Sequence, residues 1–257
     1  MQSDAKTLQL WYGEDYSKRV DVARNIHGVY LGGAVVDPSR NRVITIGCDH
    51  VDMNMHSDVM TGAGAVMSMS FAGRPLGDAF RFSDTPTDIS RDAYCQYVAV
   101  TTSSGGLHVF KNRIAGLEHE WRVNPHVGPT PGVSVSGDGQ CVASSGCLGV
   151  SCFRLIDGSP VFQVKVDNKP TGSSFVGNEH LCYIIKGELS VIMLSDPSNT
   201  KKSMKVDEYV VRMGESSCGH GVVFLVDDGP GEPGRPRRTK VKYLDLQKAG
   251  LMEEASK

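Results

Sequence analysis

Apolar and polar residues alternate along this chain in short runs, and turn residues close each run within a few positions. The stretch 131–166 shows the pattern most clearly. Residues 133–136 (VSVS) alternate strictly, as a half-buried strand does. Residues 137–139 (GDG) follow as a turn, because glycine admits a positive φ without a steric penalty. Residues 141–145 form a second apolar run, and 149–155 (GVSCFRL) a third. Asp157-Gly158 is a hairpin signal, and 161–166 (VFQVKV) makes a fourth strand. Four antiparallel strands within about 40 residues is the repeat length of one propeller blade.

The pattern recurs on both sides. Downstream, strands are expected at 173–176, 181–185, 188–194 and 203–206. Upstream, a unit reads 87–90, 97–102, 106–111 and 117–123, and another 30–36, 42–47, 65–71 and 79–82. In the latter a long insertion separates the second strand from the third. A final unit offers 209–213, 222–226 and 240–246, with no good fourth strand. Helical periodicity is scarce throughout, and many short strands at this spacing indicate an all-β sandwich, barrel or propeller.

The N-terminus carries the most specific local match. Residues 3–11 (SDAKTLQLW) resemble the S-x-D-x-T-[LIV]-x-[LIV]-W stretch of WD repeats, with Ser3 and Asp4 adjacent instead of spaced. In that family the stretch is the turn and third strand of a blade, with the Trp at the strand end. Residues 18–26 would then be a fourth strand. Gly106 to Phe110, Gly149 to Phe153 and Lys240 to Leu244 echo the same third strand, with Phe or Tyr where Trp is usual. The full Gly-His to Trp-Asp signature is absent, and His27-Gly28 has the dipeptide reversed. The resemblance implies an all-β, WD40-like β-propeller of about five to seven four-stranded blades, open or incomplete if the ring does not close. One domain is expected over 1–257. Its blade-like units would be 30–83, 86–124, 131–166, 171–207 and 209–246, with 1–26 supplying closing strands beside the last unit.

Composition narrows the picture. The 257 residues are 40% hydrophobic and 22% charged, which is globular and not disordered. A net charge of −2 supplies no global field for nucleic acid or anionic membrane. No run approaches the roughly 20 apolar residues that span a bilayer. The N-terminus holds Asp4, Glu14 and Asp15 and is not a secretory signal. Seven scattered cysteines, with Cys95, Cys141, Cys152 and Cys182 in or beside strands, read as buried thiols. A reducing compartment follows, the cytoplasm or the nucleus.

Two insertions attract attention. Residues 49–58 (DHVDMNMHSD) place His50, Asp52 and His56 close together. Imidazole and carboxylate suit a divalent ion. The spacing fits no recognised site, however, and an extended chain would send neighbours to opposite faces. A partner contact on a solvated loop is the expectation, with no metal and no cofactor. Residues 229–238 (GPGEPGRPRR) exclude regular structure and carry Arg235, Arg237 and Arg238, which suit phosphate or an acidic peptide. Both insertions fall between the second and third strands of their units, so both should leave the same ring face. Gly62-Ala63-Gly64 and Gly105-Gly106 lack the Lys-Ser/Thr of a phosphate loop. Nothing gathers a hydrolase triad, and Cys218-Gly219-His220 places a thiol and an imidazole too close in sequence to act as a dyad.

The resemblance implies a non-catalytic scaffold or adaptor, a subunit of a larger protein complex, and the two insertions offer its contacts, His50, Asp52, His56, Arg235, Arg237 and Arg238. Membrane and nucleic acid are not expected partners. Two alternatives differ in kind. A propeller hydrolase of lactonase or glycosidase type would need acids or a metal at the central channel, and Asp37 and Asp88 fall near two innermost strands. A nucleic-acid-associated WD protein would rely on the arginine-rich insertion.

Overall fold

The computed structural model describes residues 7–12, 18–24, 27, 30–48, 52–53, 60–61, 63–166, 168, 170–197, 201–206, 210–215, 221–227 and 239–252. Strands dominate them. β1 (Thr7–Tyr12) and β2 (Lys18–Arg24) pair as a separate hairpin. The first large sheet holds β3 (Tyr30–Asp37) and β4 (Arg42–Cys48). The short pair β5 (Asp52–Met53) and β6 (Met60–Thr61) interrupts it, and β7 (Gly64–Ser70) and β8 (Phe80–Phe82) complete it. The second sheet runs β9 (Pro86–Arg91), β10 (Tyr97–Thr102), β11 (Leu107–Arg113) and β12 (Gly116–Val123). The third runs β13 (Gly132–Val135), β14 (Cys141–Gly146), β15 (Gly149–Arg154) and β16 (Pro160–Val164). The fourth runs β17 (Gly172–Val176), β18 (His180–Ile185), β19 (Glu188–Met193) and β20 (Lys202–Lys205). The last has β21 (Val210–Glu215), β22 (Gly221–Asp227) and β23 (Thr239–Asp245).

Every large sheet is an antiparallel meander, and its first strand touches the first strand of the next. The contacts run β3 to β9, β9 to β13, β13 to β17 and β17 to β21. The physical cause is double-sided burial of the middle strands. In β10, Val98 and Val100 point back into a cluster with Ile44, Ile46 and Val66, while Ala99 points forward to Val133 and Val142. In β18, Leu181 and Tyr183 face the third sheet, and Cys182 and Ile184 face the last. A strand buried on both sides reads as a continuous apolar run. β4 shows this as RVITIGC, buried at every position. The outer strand β12 instead alternates burial residue by residue. Four apolar clusters, each shared by two successive sheets, therefore form the core.

Phe153, in the apolar run 149–155, departs from the burial that such a run predicts. Val135 and Val142 are buried as the pattern predicts, but Phe153 is only half-buried, and Leu155 fills the core beside it. Phe153 and Leu155 share one face of the chain, towards the second sheet, and Leu155 takes the deeper place there.

Candidate interaction surfaces

The inner strands β9, β13, β17 and β21 enclose a cavity of about 280 Å³. Asp88, Ser90, Ser134 and Ser173 line it. Adjacent inner strands belong to different sheets, so their facing backbone groups need other partners. Side chains supply them. Asp88 Oδ2 accepts from the Val133 N–H at 3.0 Å, and Ser90 Oγ from the Val135 N–H at 3.1 Å. Ser134 Oγ accepts from the Phe175 N–H at 2.9 Å. The step from 88/133 to 90/135 shows that neighbouring inner strands run parallel. These polar residues clasp one sheet to the next.

Asp37 is not at the start of an inner strand. It closes β3 and caps the turn Pro38–Arg40, where its Oδ1 accepts from the Arg40 N–H. Its Oδ2 accepts from Arg40 Nη1 at 2.9 Å and from Asn112 Nδ2 at 2.9 Å. Burial pushes this carboxyl up, but the hydrogen bonds from Ser39, Arg40 and Asn112 outweigh it and leave it below its ordinary value. The buried Arg42 lies beside it, with Nε 3.9 Å from Oδ2. Burial pulls this guanidinium down, and Asp37 opposes the shift. Arg42 donates from Nη1 to the Arg113 carbonyl at 2.7 Å and from Nη2 to the Ile114 carbonyl at 3.2 Å. The network also raises the Cys95 thiol to about 11, through burial first and Asp37 second. A thiol held there is protonated and inert at neutral pH.

The turns at this end of the strands are linked sheet to sheet. Arg40 Nη1 donates to the Cys95 carbonyl at 3.3 Å, the Ala93 N–H to Gly137 O at 3.2 Å, and the Asp138 N–H to Asn178 Oδ1 at 3.0 Å. Asp92 and Ser136 hold the second and third turns from inside. Asp92 accepts from the Tyr94 and Tyr97 N–H groups, and Ser136 Oγ from those of Gln140 and Cys141.

The opposite face carries the connections between sheets and both insertions. Two histidines there play one role. His27 Nε2 lies 3.1 Å from Thr45 Oγ1, and His126 Nε2 lies 3.1 Å from Ser144 Oγ. Each precedes its inner strand, is buried, and meets a hydroxyl on the second strand 18 residues later. That repeated spacing is a sequence signal that the search for motifs missed. Nearby, His108 Nδ1 and His119 Nε2 are 3.2 Å apart, among the rings of Phe80, Phe82 and Phe110. Burial lowers His108 to about 4, assisted by Arg122 and His119. His119 is lowered too, chiefly by burial. Two neutral imidazoles share one hydrogen bond only if one donates and the other accepts.

The residues singled out for partner contact are placed only in part. His50, His56, Arg235, Arg237 and Arg238 lie outside the described residues. Asp52 falls in β5, whose backbone pairs Asp52 with Thr61 and Met53 with Met60. The first insertion thus contains a small hairpin where an irregular loop is expected. Its ends meet at the Cys48 and Gly64 pair, and those of the second at Asp227 and Thr239. Both insertions leave at the end where the inner strands begin, since Tyr30 lies opposite Cys48 and Val210 opposite Val226. Among the described residues, no group of three His, Cys, Asp or Glu side chains could hold a metal ion. No helix among them is long and apolar enough to cross a membrane.

No protein-family model matches this chain. No curated protein matches it by sequence. Solved structures do, with 1247 matching chains, so the likeness is to a widely used architecture and not to one role. One of these, a chain in the crystal structure of the mitotic checkpoint complex, aligns with a TM-score of 0.67. The alignment covers 87% of this chain and 68% of that one, at 12% identity. At that identity the comparison speaks to architecture alone. With the five stacked antiparallel sheets, it establishes an all-β fold of the WD40-like β-propeller type.

Proposed function

We propose that this chain is a non-catalytic propeller that holds proteins together as a subunit of a larger assembly. The observation that carries the reading is the use made of the inner-strand polar groups. Asp88, Ser90 and Ser134 accept backbone N–H groups of the neighbouring strand, and Asp37 caps a turn. The two acids that would have begun a hydrolase site thus act as sheet-to-sheet clasp and turn cap. The faces remain for partners, as loops on a rigid scaffold usually do. The assembly that contains the mitotic checkpoint neighbour is an example of such use by the same architecture.

The insertions 48–64 and 227–238 are the proposed contacts, through His50, Asp52, His56, Arg235, Arg237 and Arg238. Their shared exit at one end of the strands supports this. The free thiols of Cys95, Cys141, Cys147 and Cys152 support a reducing compartment, the cytoplasm or the nucleus. The test is affinity purification of the full chain from its source cells, beside two variants. One carries Arg235, Arg237 and Arg238 changed to Ala, and the other is shortened across 48–64. Loss of defined co-purifying proteins from either variant, at unchanged melting temperature, is expected. An identical set from all three forms would move the binding face elsewhere. Turnover of a lactone or glycoside substrate abolished by Asp88→Asn would overturn the non-catalytic reading.

A further inference from the structure

In the first four large sheets, the face that looks along the stack is covered by the sheet that follows. The third strands show it best, because their side chains alternate between the sheet behind and the sheet ahead. Leu107 and Val109 of β11 face the third sheet, Val150 and Cys152 of β15 the fourth, and Leu189 and Val191 of β19 the last. All six are exposed by 1% or less.

The last sheet departs from this. Its rear residues Val222, Phe224, Val226 and Leu246 pack on the fourth sheet. Its forward residues lie in the open: on β23, Val241 is 72% exposed and Tyr243 52%. Val223 and Leu225 on β22 are half-buried. The ladder joins these residues into one surface. Val223 stands opposite Tyr243 and Leu225 opposite Val241, and opposite side chains on one face of a sheet lie about 5 Å apart. Gly214 on β21 continues the first row, opposite Val223. A Cβ there would meet no heavy atom within 4 Å, so the row runs on into open space. The Tyr243 ring leans over Gly221, where any side chain would collide with it.

The molecule itself shows what covers such a face. At all four of its buried interfaces the cover is the rear of another antiparallel sheet, apolar at alternate positions. A second copy has no such rear to add. Val43, Thr45, Ala65 and Met69, behind the first sheet, are exposed by 2% or less, and the later rears lie inside the stack. Setting two forward faces together would instead oppose two copies of one basic stretch. Arg235, Arg237, Arg238, Lys240 and Lys242 all fall between positions 235 and 242, and Lys240 and Lys242 are exposed on β23 itself. That stretch favours acidic residues in whatever lies against it. The second insertion also joins β22 to β23, the two strands that carry the face, so a partner gripping the insertion arrives beside it.

We propose that antiparallel strands of a partner protein pack on this face. Their alternate apolar residues cover Val223, Leu225, Val241 and Tyr243, and their acidic residues pass Lys240 and Lys242. The partner takes the place that the following sheet takes at the other four interfaces. The proposal rests on the reading of the chain as an interaction module and adds an apolar, sheet-to-sheet contact to the polar insertions.

The experiment is photo-crosslinking of the full chain in its source cells, with benzoylphenylalanine replacing Tyr243. A crosslink to one defined partner protein is expected, mapped to a segment of alternating apolar residues. Its yield should fall at least about tenfold when Val241→Asp is added, as loss of a buried anchor does. If that variant does not fold, Val241→Thr, isosteric and β-branched, takes its place. In the purified chain Val241→Thr should melt as wild type, because the position is exposed. A melting temperature lower by several degrees means that this chain's own residues bury the position, and overturns the proposal. So does a crosslink to residues 1–26, to a second copy, or to a partner segment without alternating apolar residues. A crosslink indifferent to Val241→Asp, or none at all, overturns it too. Co-purifying proteins retained by Val241→Asp but lost with the insertions would reject this face and leave the scaffold reading standing. Proteins lost with neither would remove both.

Discussion

The guanidinium of Arg42 reaches from the second strand of one sheet to the carbonyl oxygen of Arg113 on the last turn of the next, at 2.7 Å. The same group donates to Asn112 Oδ1 and Ile114 O and lies beside the Asp37 carboxylate. One buried cation therefore ties two sheets together. Arg42→Ala should cost about 3–5 kcal/mol, because carbonyls and a carboxylate lose a partner where little water reaches them. Arg42→Lys should recover little of it, since a single ammonium cannot reproduce a planar fork. Urea denaturation of both variants measures the difference. A loss below about 1 kcal/mol in Arg42→Ala would show that the turn holds itself.

Gly105 carries one of the two closest backbone approaches on the opposite face, beside that of Gly149 to the Val164 carbonyl. The φ of Gly105 is +100°, and a Cβ there would lie 2.0 Å from the carbonyl oxygen of His126. Gly105→Ala should destabilise by about 2–4 kcal/mol, through strain and displacement of the loop that His126 anchors. A melting temperature within about 1 °C of wild type, against the several degrees such a loss implies, would contradict this.

Stability should fall as pH drops from about 6.5 towards 4. His108 is lowered to about 4 when folded, so below its unfolded value of about 6.5 the unfolded chain takes up a proton that the folded chain refuses. The loss begins near the unfolded value and levels off below the folded one. It reaches at most about 3 kcal/mol, less what solvent screening removes. His119 acts in the same direction. Asp37, held below its ordinary value, adds a loss at lower pH still, as it becomes protonated. Denaturation midpoints of His108→Phe should be flatter than wild type over this window, and an equal slope in both would exclude His108 as its source.

The two phenylalanines of the third-strand positions should differ. Phe110 is fully buried between the first two sheets, while Phe153 is half-buried beside Leu155, which fills the core there. Phe110→Ala should cost about 3–5 kcal/mol through lost burial and a cavity, and Phe153→Ala about half of that. Chemical denaturation of the pair checks the ranking, and equal costs would mean that the burial of the two rings does not set the loss.

The strand rhythm was legible because period-2 alternation, glycine turns and Asp-Gly hairpins are local. β14 at Cys141–Gly146, β18 at His180–Ile185 and β22 at Gly221–Asp227 fall within a residue of the runs read from the chain. The all-β class followed from the same local chemistry, since continuous apolar runs such as RVITIGC need a sheet covered on both sides. The tertiary structure decided what pairing across long separations decides. Asp37 reads as an acid near an inner strand; its cap of Pro38–Arg40 is local, but the bond from Asn112, 75 residues on, that holds the buried carboxylate against the next sheet is not. Asp88 and Ser90 become clasps because Val133 and Val135, each 45 residues on, present N–H groups that no strand pairs. The exposure of Val241 and Tyr243 was equally out of reach. Their residue types predict burial, and only the stacking of the sheets decides which forward face is covered and which is left open.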